Sequence, residues 1–422
     1  MASFVESQNL NGCKVNALYD EGRSPFLIVQ IEPSAGSTSD SSILFYGHMD
    51  KQPFGPGWKH DPTDPVIENG KLYGRGSSDD CYALYAALLS IKACQAKGLS
   101  HPRIVITIEG SEEGGNTEDL IYYLQTYKHL IGEPNTVICL DTSAFLEDTL
   151  AISSSLRGGC NFDLSVKVGE DNMHSGYSGI VPDPYIIAIS LLSRIVDFKT
   201  QEVVKDFEVE IPQYRIEEAK FVASRIPLLS AMLPKNEGLL SRAHEQPKED
   251  ENFHLLLNQT WKPSLTVVGQ NGIPENLGDS SNSIKSQVTL RCSLRLPPTY
   301  DVKVASQKLQ AILQADPPYN AIVKVEPRSS GQGFDAPPLR SNLQDALFEA
   351  NKQVFSGNLP LFVGCGGGIP FMDFLSKQYP GANYILTGVG FPDSNAHAAN
   401  ENIDLEFCRK LITTLALTLS KL

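Results

Sequence analysis

Gly74-Arg75-Gly76-Ser77-Ser78-Asp79-Asp80 leads straight into Cys81 to Lys92, an alanine- and leucine-rich run of helical length that Gly98 brings to a stop. Asp79 therefore stands just ahead of a helix N-terminus, in a field that favours its anionic form. Working outward, Ile43-Leu44-Phe45-Tyr46-Gly47-His48-Met49-Asp50 is an apolar run of strand length that ends in a His-x-Asp. Arg103 to Gly110 is a second such run, followed by Ser111-Glu112-Glu113-Gly114-Gly115, and Val137 to Leu140 is a third, ending in Asp141. Each strand delivers a carboxylate or an imidazole at its C-terminal end, where open α/β sheets hold their sites.

His48, Asp79, Glu113 and Asp141 are hard or borderline donors of the kind that bind zinc, manganese or cobalt. Several carboxylates converging without a cation repel one another, and two divalent ions bridged by an Asp relieve that. Such a pair, ~3.5–4 Å apart, holds a water whose pKa falls towards ~7. Neighbouring residues on an irregular turn point in different directions, so one of Glu112 and Glu113 can bind metal while the other takes the water's proton.

The chain has 422 residues, a 41% hydrophobic content and a formal net charge of -14. That is enough apolar sequence for a substantial core in two domains. The charge argues against nucleic acid or an anionic membrane as partner. No apolar run reaches the ~18 residues that span a bilayer, and Met1 to Glu6 lacks the features of a signal peptide. Eight scattered cysteines without C-x-x-C spacing fit buried, reduced thiols. The expectation is a soluble cytoplasmic enzyme. His60, His101, His244 and His254 have no partner pattern and are expected at the surface.

Strand, helix, strand, helix, strand is the grammar of a mostly parallel sheet flanked by helices. The lead-in to Pro33 reads as strand-rich, and Asn116 caps a helix through about Leu130. The texture changes after Gly158. Asn161 to Val168, Gln287 to Leu296 and Ala321 to Glu326 read as strands, with helices over Pro184 to Phe198 and Tyr300 to Gln314. The predicted class is α/β: a catalytic domain over 1–157 and 334–422 with a mixed, mostly parallel sheet, and an inserted α+β lid and dimerisation domain over 158–333. Thr200 to Lys262 is charged and irregular. Helices are expected again from Asn342 to Phe355 and from Leu405 onward.

The chain resembles the dinuclear metallopeptidases that include carnosinase, cytosolic dipeptidase, aminoacylase and the glutamate carboxypeptidases, most closely the carnosinase-like dipeptidases. The resemblance is carried by Tyr46-Gly47-His48-Met49-Asp50 with Gln52-Pro53, Gly70 to Gly76 leading into Asp79-Asp80, Glu112-Glu113-Gly114, Leu156-Arg157-Gly158, Met173-His174-Ser175-Gly176, Arg295, Gly367-Gly368-Ile369-Pro370 and Ala396 to Glu401. It implies that His48, Asp79, Glu113, Asp141 and His397 hold two divalent ions, zinc or manganese, with Asp79 bridging. Asp50 would orient His48. Glu112 would be the general base and later protonate the leaving amine. His174 would support the oxyanion in the partner subunit's active site, making a homodimer through the lid. Arg295 and Asn282 lie where such proteins bind substrate carboxylate or carbonyl groups.

Three departures stand out. The family usually carries helices ahead of the first strands that are not seen here. Where it shows Arg-Glu-Gly-Gly-Ser-Ile-Pro around the substrate carboxylate, this chain has Gly364-Cys365-Gly366-Gly367-Gly368-Ile369-Pro370, which implies either a changed substrate or backbone N–H groups, those of Gly367 and Gly368, doing the holding. Glycines there allow positive φ and close approach to a ligand. Cys81-Tyr82 replaces the usual Lys-Gly. The expected activity is hydrolysis of dipeptides or short peptides. An N-acyl amino acid deacylase needs the same apparatus, and a dimeric scaffold without catalysis is a third reading.

Overall fold

The computed structural model describes residues 1–35, 37, 40–226 and 251–422. Its central sheet has six strands in the order Cys13–Leu18, Phe26–Ile31, Arg103–Glu109, Ser42–His48, Thr136–Cys139, Asn383–Leu386. The first two pairings are antiparallel and the other three parallel, as expected for a mixed, mostly parallel sheet. Residues Ile43 to Phe45 and Ile104 to Ile106 are buried on both faces, so these strands read as unbroken apolar runs. A fully buried Ile or Leu contributes roughly 1.5–3 kcal/mol relative to exposure.

Helix Tyr82–Ala96 buries Ala83, Leu84, Ala87, Leu88 and Ile91 between this sheet and helix Leu405–Leu419. Nine of its fifteen residues are buried, which is why its apolar side chains are not confined to one narrow stripe. Gly98 ends it at φ 66°, with the Leu99 N–H returning to the Cys94 carbonyl at 2.9 Å.

Four antiparallel strands form a separate sheet in the order Ser264–Asn271, Gln287–Leu296, Gly158–Lys167, Ile322–Gly331. Helices Pro184–Leu192 and Val302–Gln314 cover one face, packing on Phe162, Leu164, Val288 and Leu290. Asp163 lies within the central strand and accepts from Arg291 Nε and Nη2 at 2.8 and 2.9 Å and from Arg328 Nε at 2.7 Å. The Arg291 and Arg328 bonds hold its pKa down at about 2. A depressed folded-state pKa adds stability that is complete above the unfolded value and lost as pH falls through the folded one. Asp163→Asn should therefore cost about 1 kcal/mol at pH 7, a figure kept small because both arginines are half-exposed. The gap from wild type in urea unfolding should narrow below pH 4 and close near pH 2. A pH-independent gap would refute the assignment.

Several expectations are corrected. The first residues include a short helix, Ala2–Ser7, held by Phe4 against Tyr85. The helix from Pro184 stops at Leu192 rather than Phe198: the next bonds tighten to i→i−3, Arg194 N–H to the Leu191 carbonyl and Ile195 N–H to the Leu192 carbonyl, and Asp197 then turns the chain by accepting from the N–H groups of Lys199 and Thr200. The helix after Asn116 breaks at Tyr127 into Thr117–Thr126 and Lys128–Ile131. Within the stretch read as irregular, Gln213–Arg225 and Glu251–Thr260 are helical and pack on strand Leu361–Cys365. His101 is buried, its ring bonded to the Pro102 carbonyl and the Gln95 amide. His60 is partly buried against Glu68, His254 is partly buried, and His244 lies outside the described residues. All eight cysteines are free thiols; Cys13, Cys81, Cys365 and Cys408 are only partly buried. Among the described residues no helix is long and apolar enough to cross a membrane.

Candidate metal centre

The parallel strands end together. His48 closes its strand opposite Glu109, and Asp141 follows Thr136–Cys139 by two residues on the other side. The Asp79 loop is drawn against them. A Cβ on Gly47 would lie 2.6 Å from Ala83 Cβ and 2.7 Å from Asp80 Oδ2, so glycine is what lets the loop approach.

Asp79 divides its two oxygens. Oδ1 is 3.1 Å from His48 Nε2, and Oδ2 is 2.9 Å from His397 Nε2. His48 Nε2 is also 4.0 Å from Asp141 Oδ1, while His397 Nε2 is 3.3 Å from Glu113 Oε2. Two half-sites result, His48 with Asp141 and His397 with Glu113, sharing Asp79. Donor atoms of His48, Asp79 and Glu113 lie within 4.8 Å of one another, as do those of His48, Asp80 and Asp141.

The charges show what this cluster needs. Burial pushes the Asp141 and Asp80 carboxyls well above their ordinary range, and neighbouring carboxylates add to the push. Burial disfavours a charged His48, but Asp50, Asp79, Asp141 and Asp80 outweigh it and raise the imidazole pKa. Glu112 is raised by burial and by Glu113, Asp79 and Asp50, against His48. A dense set of oxygen and imidazole donors short of positive charge fits divalent metal.

Asp50 accepts the N–H groups of Glu112 and Glu113 at 3.2 and 2.9 Å and lies 3.4 Å from His48 Nδ1, tying the Glu pair to the imidazole. Two contributors escaped the sequence reading. Gln52 Nε2 donates to Glu113 at 2.6 Å. Glu401, fully buried, accepts from Arg75 Nη1 at 2.8 Å and from the N–H groups of Gly76, Ser78 and Asp79 at 2.9, 3.0 and 3.1 Å. One carboxylate thus ties the Asp79 loop to the His397 loop. Its place within Asn400-Glu401, four residues from His397, was the available signal. Lys51 Nζ sits 2.8 Å from Cys81 Sγ, bringing a cation beside the start of helix Tyr82–Ala96.

Other expected residues lie apart from the cluster. His174 is exposed in a short pairing, Met173–His174 with Ser283–Ile284, next to Asn282. Its Nδ1 accepts the Gly176 N–H at 3.0 Å, leaving Nε2 as the donor of the neutral ring. Among the described residues no hydrogen bond or ion pair joins it to the acids of its own chain. Arg295 is exposed on strand Gln287–Leu296, near enough to Arg157 that burial and the Arg295 charge lower the Arg157 pKa to about 10.

The glycine turn has a different cause from the one expected. Gly364, Gly366, Gly367 and Gly368 do not have positive φ. A Cβ at Gly364 would lie 2.7 Å from Thr260 Cβ, at Gly366 2.9 Å from Gln259 Cγ, and at Gly368 2.7 Å from the Arg157 carbonyl oxygen. The turn is pressed between helix Glu251–Thr260 and Arg157, whose Nε donates to the Gly366 carbonyl at 3.0 Å. Gly368→Ser should cost about 1–3 kcal/mol here. A Gly368→Ser variant with unchanged thermal stability would show that the backbone yields freely.

Paired His–carboxylate sets sharing one Asp at the C-terminal edge of a parallel sheet define a metal-dependent hydrolase. The model of peptidase family M20/M25/M40 matches residues 44–421, and the chain belongs to that family of dinuclear metal-dependent peptidases. It is 24% identical over 371 residues to a cysteinylglycine-S-conjugate dipeptidase of Corynebacterium striatum, covering 86% of this chain and 77% of that one. It is 26% identical to the Beta-Ala-His dipeptidase of Homo sapiens, covering 90% and 74%. The fold is similar to that of an M20 family metallo-carboxypeptidase, Sso-CP2, from Sulfolobus solfataricus, with TM-score 0.78, 23% identity and coverage of 99% and 92%. It is also similar to that of the dipeptidase Dug1p from Saccharomyces cerevisiae, with TM-score 0.74, 21% identity and coverage of 100% and 89%.

Proposed function

We propose that this chain hydrolyses the amide bond of dipeptides or short peptides, with His48, Asp79, Glu113, Asp141 and His397 holding two divalent ions. The observation that carries the reading is the division of Asp79 between the two His–carboxylate half-sites. The dipeptidase relatives support the substrate class. Bound divalent ions supply Lewis-acid polarisation of the scissile carbonyl and a lowered pKa for water. Glu112 takes the water's proton on its carboxylate and returns it to the leaving nitrogen. Asp50 orients His48 and, through its backbone bonds, the Glu pair. His174, reaching across from a partner subunit, donates Nε2–H to the developing oxyanion. Arg295 with Asn282, and the N–H groups of Gly367 and Gly368, hold the substrate's carboxylate end.

We place the metal and catalytic groups in a domain of residues 1–157 and 334–422, the lid and dimer surface in 158–333, and the protein in the cytoplasm as a homodimer. Support for the dimer comes from Ile180 and Leu277, 82% and 86% exposed in the segments next to His174 and Asn282. Ile180→Arg should give monomers by sedimentation and lose most activity. A fully active monomer would remove His174 from the mechanism.

The deciding experiment is elemental analysis with a dipeptide library, assayed with added zinc or manganese. Two ions per chain with metal-dependent release of amino acids is the expected result, and elemental analysis identifies the metal that the purified protein carries. Hydrolysis of N-acetyl amino acids with no dipeptide turnover would overturn the peptide reading.

A further inference from the structure

Against the Gly74–Ser77 part of the Asp79 loop, with none of the metal-centre acids in its lining, lies a cleft of about 650 Å³. Helices Tyr82–Ala96 and Leu405–Leu419 form one wall through Tyr85, Ala86, Leu89 and Ile412, and residues Gly74 to Ser77 form another. Its size is that of small-molecule sites, and its surface is overwhelmingly apolar. It shares no lining residue with the polar cavity beside Asp79 and Asp141, so it is not part of the peptide site. Leu89, Leu405 and Phe54, 36%, 37% and 46% exposed, leave apolar surface open at the walls.

Three polar groups on the walls have hydrogen-bonding capacity or charge to spare. Arg75 is 2% exposed in its side chain, and its Nε is a buried donor without a partner. Ser77 Oγ is likewise buried and unpartnered. Lys51 Nζ bonds only the Met49 carbonyl and the Cys81 thiol, and no carboxylate pairs with it among the described residues. Arg75 and Arg409 are neutralised by Glu401 and Glu406, which leaves Lys51 as the lining cation with no carboxylate among the described residues. One such cation beside unpartnered donors in apolar walls complements a single negative charge on an apolar body. We propose that this cleft binds an amphipathic monoanion, its apolar body against Tyr85, Ala86 and Leu89 and its head group at Lys51. The Gly74–Ser77 wall continues into Asp79, which places such a ligand against the metal-binding loop.

The test uses the full chain with its divalent metal and the neutral dye Nile red, whose fluorescence reports entry into an apolar site. Decanoate and decan-1-ol, below their aggregation concentrations, serve as competitors that differ in charge. Nile red should bind saturably, and Leu89→Trp, which fills the cleft from a partly exposed helix position, should weaken it about tenfold. Decanoate should displace the dye at about tenfold lower concentration than decan-1-ol, and Lys51→Met, which keeps an apolar stem, should erase that difference. Circular dichroism and thermal melting establish that both variants are folded. Dye binding untouched by Leu89→Trp would overturn the site. Equal potency of the two competitors on wild type, or an unchanged preference in Lys51→Met, would overturn the anionic class.

Discussion

Glu112→Gln should lower kcat by about 10²- to 10⁴-fold while the protein keeps two metal ions and its thermal stability. The substitution is nearly isosteric, and the backbone bond from residue 112 to Asp50 Oδ1, at 3.2 Å, is retained. What is lost is a proton acceptor. The adjacent Glu113 instead has its carboxylate against His397 at 3.3 Å and Gln52 at 2.6 Å, a placement suited to a ligand. The same measurements on Glu113→Gln should show the reverse pattern, with metal content falling first. If Glu112→Gln loses metal and Glu113→Gln keeps it, the two roles are exchanged. If Glu112→Gln retains most of its kcat with metal bound, the general-base assignment fails.

Glu401→Gln is expected to weaken metal binding by about 10- to 100-fold, although residue 401 is not among the proposed ligands. The Glu401 carboxylate accepts three backbone N–H groups and the Arg75 guanidinium, and the last of those N–H groups belongs to Asp79 itself. An amide offers one acceptor oxygen and turns an NH₂ towards donors, so part of this set must break. It also leaves Arg75 buried without its counter-charge, which is costly. The readout is competition with a chelator of known affinity, so a change in metal affinity is seen apart from turnover. Should Glu401→Gln be too unstable to assay, Ser78→Ala removes only the hydroxyl contact to Glu401, at 3.3 Å, and should give a smaller loss in the same direction. Unchanged affinity in a folded Glu401→Gln protein would mean that Asp79 is placed by other contacts.

The middle of the central sheet was legible because Ser42–His48, Arg103–Glu109 and Thr136–Cys139 are apolar on both faces and each has a carboxylate or imidazole at or just beyond its end, whereas Asn383–Leu386, with no such residue, was not read. Ser42–His48 and Arg103–Glu109 emerge almost at their predicted limits for that reason. Helix ends were less legible. The helix from Pro184 ends at Leu192 through i→i−3 bonds at Arg194 and Ile195 that propensity does not weigh. The helices Gln213–Arg225 and Glu251–Thr260 were missed because the polar residues around them mask the few, Ala219, Val222, Leu255, Leu256 and Leu257, that they bury. His101 looked like a surface residue because the bonds that satisfy its ring come partly from Gln95, in the preceding helix.

For the site, residue types and their spacing were enough to identify the acids and imidazoles and the kind of ion they suit, since a ligand's chemistry belongs to its side chain. Pairing them required the fold. Which imidazole meets which oxygen of Asp79 depends on strand register and on a loop more than 300 residues further along the chain. The same holds for the glycine turn, whose composition follows from the press of Thr260, Gln259 and Arg157. Local sequence encodes what a group can bind. Long-range packing encodes where that group stands, because non-local contacts set its position to fractions of an ångström.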